Sequence, residues 1–195
     1  ASSELSHLRK EAAKELEAKI LSELEELNFK DAQLSIEFTS SEEYTSSGTD
    51  IVEFMISTNR GESLKPLSQV ASGGEMSRIM LALKAMMARY ANMPTMIFDE
   101  IDTGVSGSVA DRMGSVICEM GSFMQVFAIT HLPQVAAKGT AHYLVSKDID
   151  PQTSKAVSTI VRLSDSERVM EVARMLSGSV LTDAAIANAK SLLNS

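Results

Sequence analysis

Apolar side chains recur at steps of three and four residues through residues 2–28, a stretch without glycine or proline. This spacing predicts a helix with a narrow apolar seam, formed by Leu5, Leu8, Ala12, Leu16, Ile20, Leu24 and Leu27. A narrow seam suits a partner helix in a coiled coil, and packing on the chain's own domain is an equally good interpretation. If the seam has no partner within this chain, the partner belongs to a segment that the chain lacks.

Alternation of apolar and polar residues then predicts two strands, 32–38 and 50–58, which form an antiparallel hairpin. The polar run Thr39–Thr49 between them predicts a mobile tip, and residues 59–69 predict a loop. Helical spacing returns after this loop, and it predicts a long helix over residues 72–91.

The second half of the chain has the pattern of a strand, helix, strand crossover. Thr95–Asp99 and Gln125–Thr130 are apolar runs that predict buried strands, and residues 108–120 between them predict a helix. Because such crossovers join parallel strands, the pattern indicates an α/β fold with a mostly parallel sheet flanked by helices. A short helix is predicted over residues 132–137. Two strands, 142–147 and 156–163, are predicted to form an edge hairpin with the turn Asp148–Pro151. Two last helices are predicted over residues 164–177 and 182–194.

Acidic side chains follow the first of these strands directly. Asp99 and Glu100 come at its carboxyl end, which is where ligands bind in open parallel sheets. His131 follows the second strand, so the crossover places it at the same edge of the sheet as the acids. Acids also follow strands simply because loops are hydrated, which leaves an ordinary loop as the alternative interpretation.

Two glycines stand in the first turn of the helix that begins at Ser72. Ser72 and Glu75 have the spacing of a capping box, which is the purely structural interpretation. A capping box does not explain Gly73 and Gly74, because each costs on the order of 1 kcal/mol relative to alanine. A helix start without side chains suits a phosphate. If Gly74 faces a phosphate, alanine there should block that contact and leave the fold intact.

Composition narrows the functional classes. The net charge is −8, with most of the acidic excess in residues 1–66. An acidic chain without a basic stripe is a poor candidate for binding nucleic-acid backbones on its own, so such contact would need other segments or a locally basic face. Arg162, Arg168 and Arg174 are predicted to be solvated surface charges. The single cysteine, Cys118, is predicted to be a buried apolar residue, and it suits a reducing compartment. No apolar run reaches the length that spans a bilayer, which predicts a cytoplasmic protein.

Four motifs in this order resemble the carboxyl-terminal half of an ATP-binding-cassette (ABC) head of the SMC kind, and within it most closely a bacterial branch of DNA repair and recombination ATPases. Residues 67–78 resemble the signature motif, Met96–Glu100 resemble Walker B, Ile101–Gly107 resemble the D-loop, and Thr130–Ala136 resemble the switch-histidine segment. The chain departs from the usual signature at Ala71, where the family generally has leucine.

The resemblance implies a role for each of these motifs in phosphoryl transfer. Asp99 would hold Mg²⁺ through water, Glu100 would be the catalytic base, and His131 would contact the γ-phosphate of ATP. The signature residues would cap the ATP of a second head in a two-fold dimer, and they are Ser72, Gly73, Gly74 and Glu75. The D-loop would lie beside them, and its residues are Asp102, Thr103 and Gly104.

The resemblance also implies that a part is missing. None of the ten glycines is followed by Lys-Ser or Lys-Thr, so the Walker A phosphate loop is absent from the sequence. Together with the start at Ala1, this leads us to expect that residues 1–28 end a returning coiled-coil helix. Residues 29–195 would then be the C-terminal lobe of the head, inactive without the N-terminal half. The full-length protein would be a cytoplasmic, nucleoid-associated ATPase that binds DNA in double-strand break repair and has no contact with a membrane.

Two other functional classes stay open on the sequence alone. A non-enzymatic interaction module would dock partners through the first helix and the acidic hairpin, and its acids would be ordinary loop residues. A metal-dependent nuclease would use Asp99, Glu100 and Asp102, although such a site needs acids from several strand ends. Binding of Mg-ATP after addition of the missing half would separate the three classes.

Overall fold

A computed structural model describes residues 1–70, 72–149, 155–178 and 180–194. Helices and strands are mixed along the chain, and a parallel pair of strands is flanked by helices, as expected for the α/β class. The chain divides into two compact units. The first unit contains residues 1–96 and 101–105, and the second contains residues 97–100 and 106–195.

The first helix, α1 (Ser2–Glu26), buries apolar seam residues in the first unit mainly along its carboxyl-terminal half. Ile20 and Leu24 are fully or almost fully buried, and so is Leu27 just beyond the helix. Leu8, near the amino terminus, is 60% exposed. The predicted seam is therefore covered by the chain's own unit in its second half and exposed in its first half.

The hairpin consists of β1 (Gln33–Thr45) and β2 (Gly48–Ser57), which pair antiparallel with an irregularity between Ser40 and Thr45. The predicted mobile tip over residues 39–49 is wrong, because most of this polar run continues the two strands, with the turn at residues 46–47.

Hydrogen bonds from α1 hold the hairpin against the helix. The guanidinium of Arg9 donates to the Asp50 carboxylate at 2.9 Å, and the Ser2 hydroxyl lies 3.0 Å from the Thr49 hydroxyl. Hydrogen bonds from Ser6 and then from Arg9 keep the pKa of Asp50 below its usual value. The polar residues of the hairpin thus meet polar partners on α1, which explains how a polar run can form regular strands.

The segment after the hairpin is more ordered than the predicted loop. It contains the short strand β3 (Lys65–Pro66), which pairs with β2, and a turn of 3₁₀-helix over Leu67–Gln69. The long helix α2 (Gly73–Ala91) follows, as predicted, and it ends at Asn92 in the left-handed conformation with φ 47°. Asparagine tolerates that conformation at a helix end, where it stops the helix.

The crossover predicted from the sequence is present. Strand β4 (Thr95–Asp99) pairs with β5 (Gln125–Ile129) in a parallel arrangement, and α3 (Gly107–Met120) connects them. The short helix α4 (Pro133–Ala137) follows β5 and packs on α3. Gly114 permits this contact, because a Cβ there would lie 3.1 Å from the carbonyl oxygen of Gln134.

One face of the β4 and β5 pair is exposed, so the prediction of fully buried strands is wrong. Met96 and Phe98 are buried, whereas Ile97 between them is 62% exposed. On β5, Phe127 and Ile129 are 45% and 57% exposed. An uninterrupted apolar run is typical of a strand covered on both faces, and here the described residues cover only one.

The carboxyl-terminal part of the second unit consists of a hairpin and two helices. Strands β6 (Tyr143–Ile149) and β7 (Ala156–Arg162) pair antiparallel, and helices α5 (Asp165–Ser177) and α6 (Asp183–Leu193) pack through Val172, Ala173, Ala185 and Ala189. The predicted turn between the strands lies partly outside the described residues. Helix α5 begins at a capping box on Ser164 and ends at Gly178, close to the predicted range 164–177.

Two predictions about single side chains are wrong. Cys118 is exposed, because the buried side of α3 is formed by Ala110, Met113 and Met120 and does not include it. Arg168 is mostly buried rather than solvated, since its side chain is 19% exposed and donates to the carbonyl oxygen of Gly139 at 2.7 Å. Arg168 therefore ties α5 to the segment after α4.

The half-buried His142 of the second unit leads us to expect a pH-dependent stability. Burial, followed by the nearby charge of Arg168, lowers the pKa of His142 below 6.5, and within the described structure its Nε2 has no hydrogen-bond partner. A lowered folded-state pKa contributes stability that is present above the unfolded-state pKa and is lost as the pH falls through the folded-state pKa.

We therefore expect the free energy of unfolding to fall as the pH is lowered from about 7.5 to about 5.5. Replacing His142→Gln should flatten this dependence, because the variant has no imidazole to protonate on unfolding. Denaturant titrations across that pH range test the expectation, with His7→Gln on the exposed surface of α1 as the control. An unchanged slope in His142→Gln would show that other groups cause the pH dependence.

Candidate functional site

The start of α2 has the geometry predicted for the signature motif. Ser72 is the N-cap, and its hydroxyl accepts a hydrogen bond from the N–H of Glu75 at 3.4 Å. The carbonyl oxygen of Ser72 accepts from the N–H of Met76 at 2.9 Å. Ser72 and Gly73 are exposed. The first N–H groups of a helix have no partners within the helix, so this exposed start is a suitable site for an anion.

Arg78, one turn into α2, holds the helix start and was not singled out from the sequence. Its Nε donates to the carbonyl oxygen of Gly74 at 3.2 Å, and a terminal nitrogen donates to that of Leu27 at 3.0 Å. The guanidinium also lies 3.9 Å from the centre of the Phe29 ring. Burial lowers the pKa of Arg78, and the nearby charge of Glu75 partly offsets this. The first turn of α2 is thus fixed to the end of α1.

The D-loop residues form a tight turn in the same unit as the start of α2. The carbonyl oxygen of Asp102 accepts a hydrogen bond from the N–H of Val105 at 3.2 Å. Gly104, the third residue of the turn, has φ 74°, which is the left-handed conformation that a type II turn needs at this position. The Asp102 side chain is fully buried, whereas Thr103 is exposed. The turn is therefore anchored by Asp102.

Gly74 and Gly104 approach each other so closely that a side chain would not fit between them. A Cβ on Gly74 would lie 2.6 Å from the carbonyl oxygen of Gly104, a distance that real Cβ atoms essentially never show. The expectation that alanine at Gly74 leaves the fold intact is therefore wrong. At Gly73 a Cβ would have no described atom within 4 Å. Of the two signature glycines, the described residues leave no room for a side chain at Gly74 and leave open space at Gly73.

The Walker B acids lie at the carboxyl end of β4, in the second unit, and both are exposed. Glu100 has φ 49°, in the left-handed region that non-glycine residues rarely adopt. Such a conformation costs of order 1–3 kcal/mol and is found most often at functional sites. The chain thus turns sharply at the residue predicted to be the catalytic base.

His131 follows β5, the strand paired with β4, and its side chain is exposed. The hydroxyl of Thr130 accepts the N–H of Leu132 at 3.0 Å, and Pro133 then occupies the first position of α4. Because β4 and β5 are parallel neighbours, Asp99, Glu100 and His131 emerge at the same edge of the sheet, as predicted.

The donor chemistry at this edge suits a magnesium ion only in part. The Asp99 carboxylate is an exposed hard oxygen ligand of the kind that Mg²⁺ prefers. Among the described residues, no group of three or more His, Cys, Asp or Glu side chains could hold a metal ion. Asp99 therefore fits as one protein ligand of a magnesium ion whose other ligands come from water and substrate.

The predicted site residues fall into two groups. Ser72, Gly73, Gly74 and Glu75 lie in the first unit together with Asp102, Thr103 and Gly104. Asp99, Glu100 and His131 lie in the second unit. Sequence analysis found both groups but missed Arg78 and the contact between the two glycines. The sequence did contain a signal for the glycine contact, because the signature motif and the D-loop motif each contain a glycine at a turn of the chain.

Curated relatives cover nearly the whole chain. It is 40% identical over 182 residues to the DNA repair protein RecN of Vibrio cholerae, which is 93% of this chain and 32% of that protein. It is 42% identical over 198 residues to RecN of Halalkalibacterium halodurans, covering 99% of this chain and 34% of that protein. The chain spans about a third of the length of these relatives. No protein-family model matches the chain.

Solved structures of SMC heads share the fold. The Smc head domain with a coiled coil and joint from Pyrococcus yayanosii aligns with TM-score 0.64 at 21% identity, over 85% of this chain and 29% of that one. A second structure comes from work on the structural biochemistry of ATP-driven dimerization and DNA stimulated activation of SMC ATPases. It aligns with TM-score 0.60 at 20% identity, over 89% of this chain and 98% of that one. Over nearly all of its length, which is about a third of the length of those proteins, the chain therefore has a RecN-type sequence. It has the fold of an SMC-type ABC head.

Proposed function

We propose that this chain supplies the signature, Walker B, D-loop and switch-histidine segments of an SMC-like ABC ATPase that acts in DNA double-strand break repair and recombination. The observation that carries the proposal is the edge of the parallel strand pair, where the exposed acids follow β4, the exposed His131 follows β5, and Glu100 adopts a strained left-handed conformation. The names of the relatives, DNA repair protein RecN, support the biological process.

Each residue at this edge has a distinct task in the proposed mechanism. Glu100 orients the attacking water and accepts its proton, because its carboxylate is a base directly after the end of β4. His131 donates a hydrogen bond to the γ-phosphate of ATP. Asp99 would hold Mg²⁺, which would supply positive charge that offsets the charge on the phosphates.

The signature group acts on a second head. The exposed N–H groups at the start of α2 suit a phosphate, and Ser72 and Glu75 shape that start. In an isologous two-fold dimer each head presents this start to the ATP of the other head, so two sites close together. An SMC structure with the same fold comes from work on ATP-driven dimerization, which supports this arrangement.

The N-terminal half of the same protein is the proposed partner of this chain. The sequence contains no Walker A motif, and the exposed apolar residues Ile97, Phe127 and Ile129 present a face for a further layer or strand of the head. ATP and Mg²⁺ bind only when that half is present. DNA binding belongs to the full-length protein, because this chain carries a net charge of −8.

We also propose a cytoplasmic, nucleoid-associated location, which follows from a role in DNA repair. In the part of the chain that the structure describes, no helix has the length and apolar character to cross a membrane.

The test compares the purified 195-residue chain with the same chain mixed with the N-terminal half. Alone, the chain should neither hydrolyse ATP nor bind it tightly, because the missing phosphate loop supplies most triphosphate contacts. The mixture should bind Mg-ATP and hydrolyse it. Micromolar ATP affinity or magnesium-dependent turnover by the chain alone would contradict the half-site proposal. A mixture that forms a complex without binding ATP would favour an interaction module.

A further inference from the structure

The first turn of α2 and the D-loop turn meet through backbone atoms alone. A Cβ on Gly74 would lie 2.6 Å from the carbonyl oxygen of Gly104 and 3.1 Å from its carbonyl carbon. In the other direction, a Cβ on Gly104 would lie 3.2 Å from the nitrogen and 3.3 Å from the Cα of Gly74. The contact therefore excludes a side chain at Gly74, whose neighbour is backbone, whereas a Cβ on Gly104 requires Gly74 to shift by a few tenths of an ångström.

Both sides of this contact are held by other interactions of the same unit. Arg78 binds the carbonyl oxygens of Gly74 and Leu27, so it fixes the start of α2 to the end of α1. The D-loop turn is closed by the hydrogen bond from Val105 to Asp102, whose side chain is fully buried. Each segment is thereby held in its own conformation, so a displacement that presses one towards the other must move both, because the two backbones are already in contact.

We propose that Gly104 is a positioning residue for the signature motif of its own chain. Its carbonyl group abuts Gly74 and sets where the first N–H groups of α2 lie, so the D-loop and the signature start move as one body. A movement of the D-loop is thereby passed to the phosphate-binding end of α2 within one head. The consequence for ATP-driven dimerisation rests on the proposed function, whereas the mechanical coupling does not.

Reciprocal effects distinguish coupling from simple close packing. Amide hydrogen exchange of the purified chain measures them without ATP. Gly74→Ala should speed exchange of the Val105 amide in the D-loop by roughly 10-fold or more, because the carbonyl of Gly104 must move. Gly104→Ala should likewise speed exchange of the Met76 amide, which is bonded to Ser72 in the first turn of α2.

Two glycines provide matched controls. Gly73→Ala places a methyl in the same turn, where no described atom lies within 4 Å, so it should leave exchange in the D-loop unchanged. Gly61→Ala imposes alanine on a similar positive φ of 84°, with no described atom within 4 Å, so it reproduces the backbone strain of Gly104→Ala without the contact. If Gly74→Ala does not fold, the milder Gly104→Ala carries the test.

The coupling is overturned if Gly74→Ala and Gly73→Ala have the same exchange in residues 101–105, or if Gly104→Ala and Gly61→Ala have the same exchange in residues 72–76.

The second arm uses the head reconstituted with its N-terminal half in the Glu100→Gln background. Gly104→Ala should weaken ATP-driven dimerisation by ~10-fold or more while ATP affinity within one head is kept.

Undiminished dimerisation by Gly104→Ala would overturn the positioning role in dimer closure. Failure of the proposed function gives a different result, because the reconstituted wild-type head would then not bind ATP at all while the exchange data would still decide the coupling.

Discussion

Glu100→Gln should reduce ATP turnover by the reconstituted head by a factor of ~10² or more while ATP still binds. The amide preserves the shape of the side chain but cannot take a proton from water. Because dimer closure precedes hydrolysis in the proposed mechanism, the closed two-head dimer should accumulate in the presence of ATP. Turnover at saturating ATP, ATP affinity and the mass of the assembly are the three measurements.

Two variants make this result specific. Glu25→Gln, on the exposed surface of α1, removes a carboxylate far along the chain from the motifs and should keep the wild-type rate. Asp99→Asn should instead weaken the dependence of ATP binding on magnesium, since Asp99 is the proposed magnesium ligand. A wild-type turnover rate for Glu100→Gln would mean that the base is another residue and that the end of β4 has a different role.

The backbone of Glu100 gives independent support for a role at this position. Its left-handed conformation opposes stability by of order 1–3 kcal/mol, and glycine would adopt it without that cost. A glutamate at such a position is consistent with the proposed role of its carboxylate. The strain could not be predicted from the sequence, because an acid directly after a strand is equally compatible with an ordinary loop.

The order of elements could be predicted because each depends on short-range patterns. The three- and four-residue spacing identified α2, and a helix was predicted over residues 164–177, where α5 lies. The crossover of β4, α3 and β5 followed from chain direction alone, and it correctly placed His131 at the edge that carries Asp99 and Glu100.

The errors concern features that depend on neighbours distant in sequence or outside the chain. Ile97 was expected to be buried because its strand is wholly apolar, yet no described residue covers that face. The polar hairpin was expected to have a mobile tip, yet Asp50 and Thr49 have partners on α1. Gly74 was interpreted through a phosphate alone, because its approach to Gly104 joins segments that periodicity cannot relate.

The two halves of the α1 seam differ in exposure, which bears on whether residues 1–28 end a coiled coil. Leu24 is fully buried within its own unit, and Leu8 is 60% exposed. An apolar residue exposed on a helix is unremarkable by itself. Leu8 belongs, however, to the same regular seam as Leu24, so we propose that a partner helix of the coiled coil covers it in the full-length protein.

Leu24→Ala should lower the free energy of unfolding of the isolated chain by about 2–5 kcal/mol, because it leaves a cavity in the core of the first unit. Leu8→Ala should change it by less than about 0.5 kcal/mol, as is usual for exposed positions.

In a longer protein that contains the other coiled-coil helix, Leu8→Ala should instead cost about 1–2 kcal/mol, because the side chain is then buried. Denaturant unfolding of the three variant proteins and their two parents measures these values. A Leu8→Ala effect that stays near zero in the longer protein would mean that α1 packs only on its own unit and that residues 1–28 do not continue into a coiled coil.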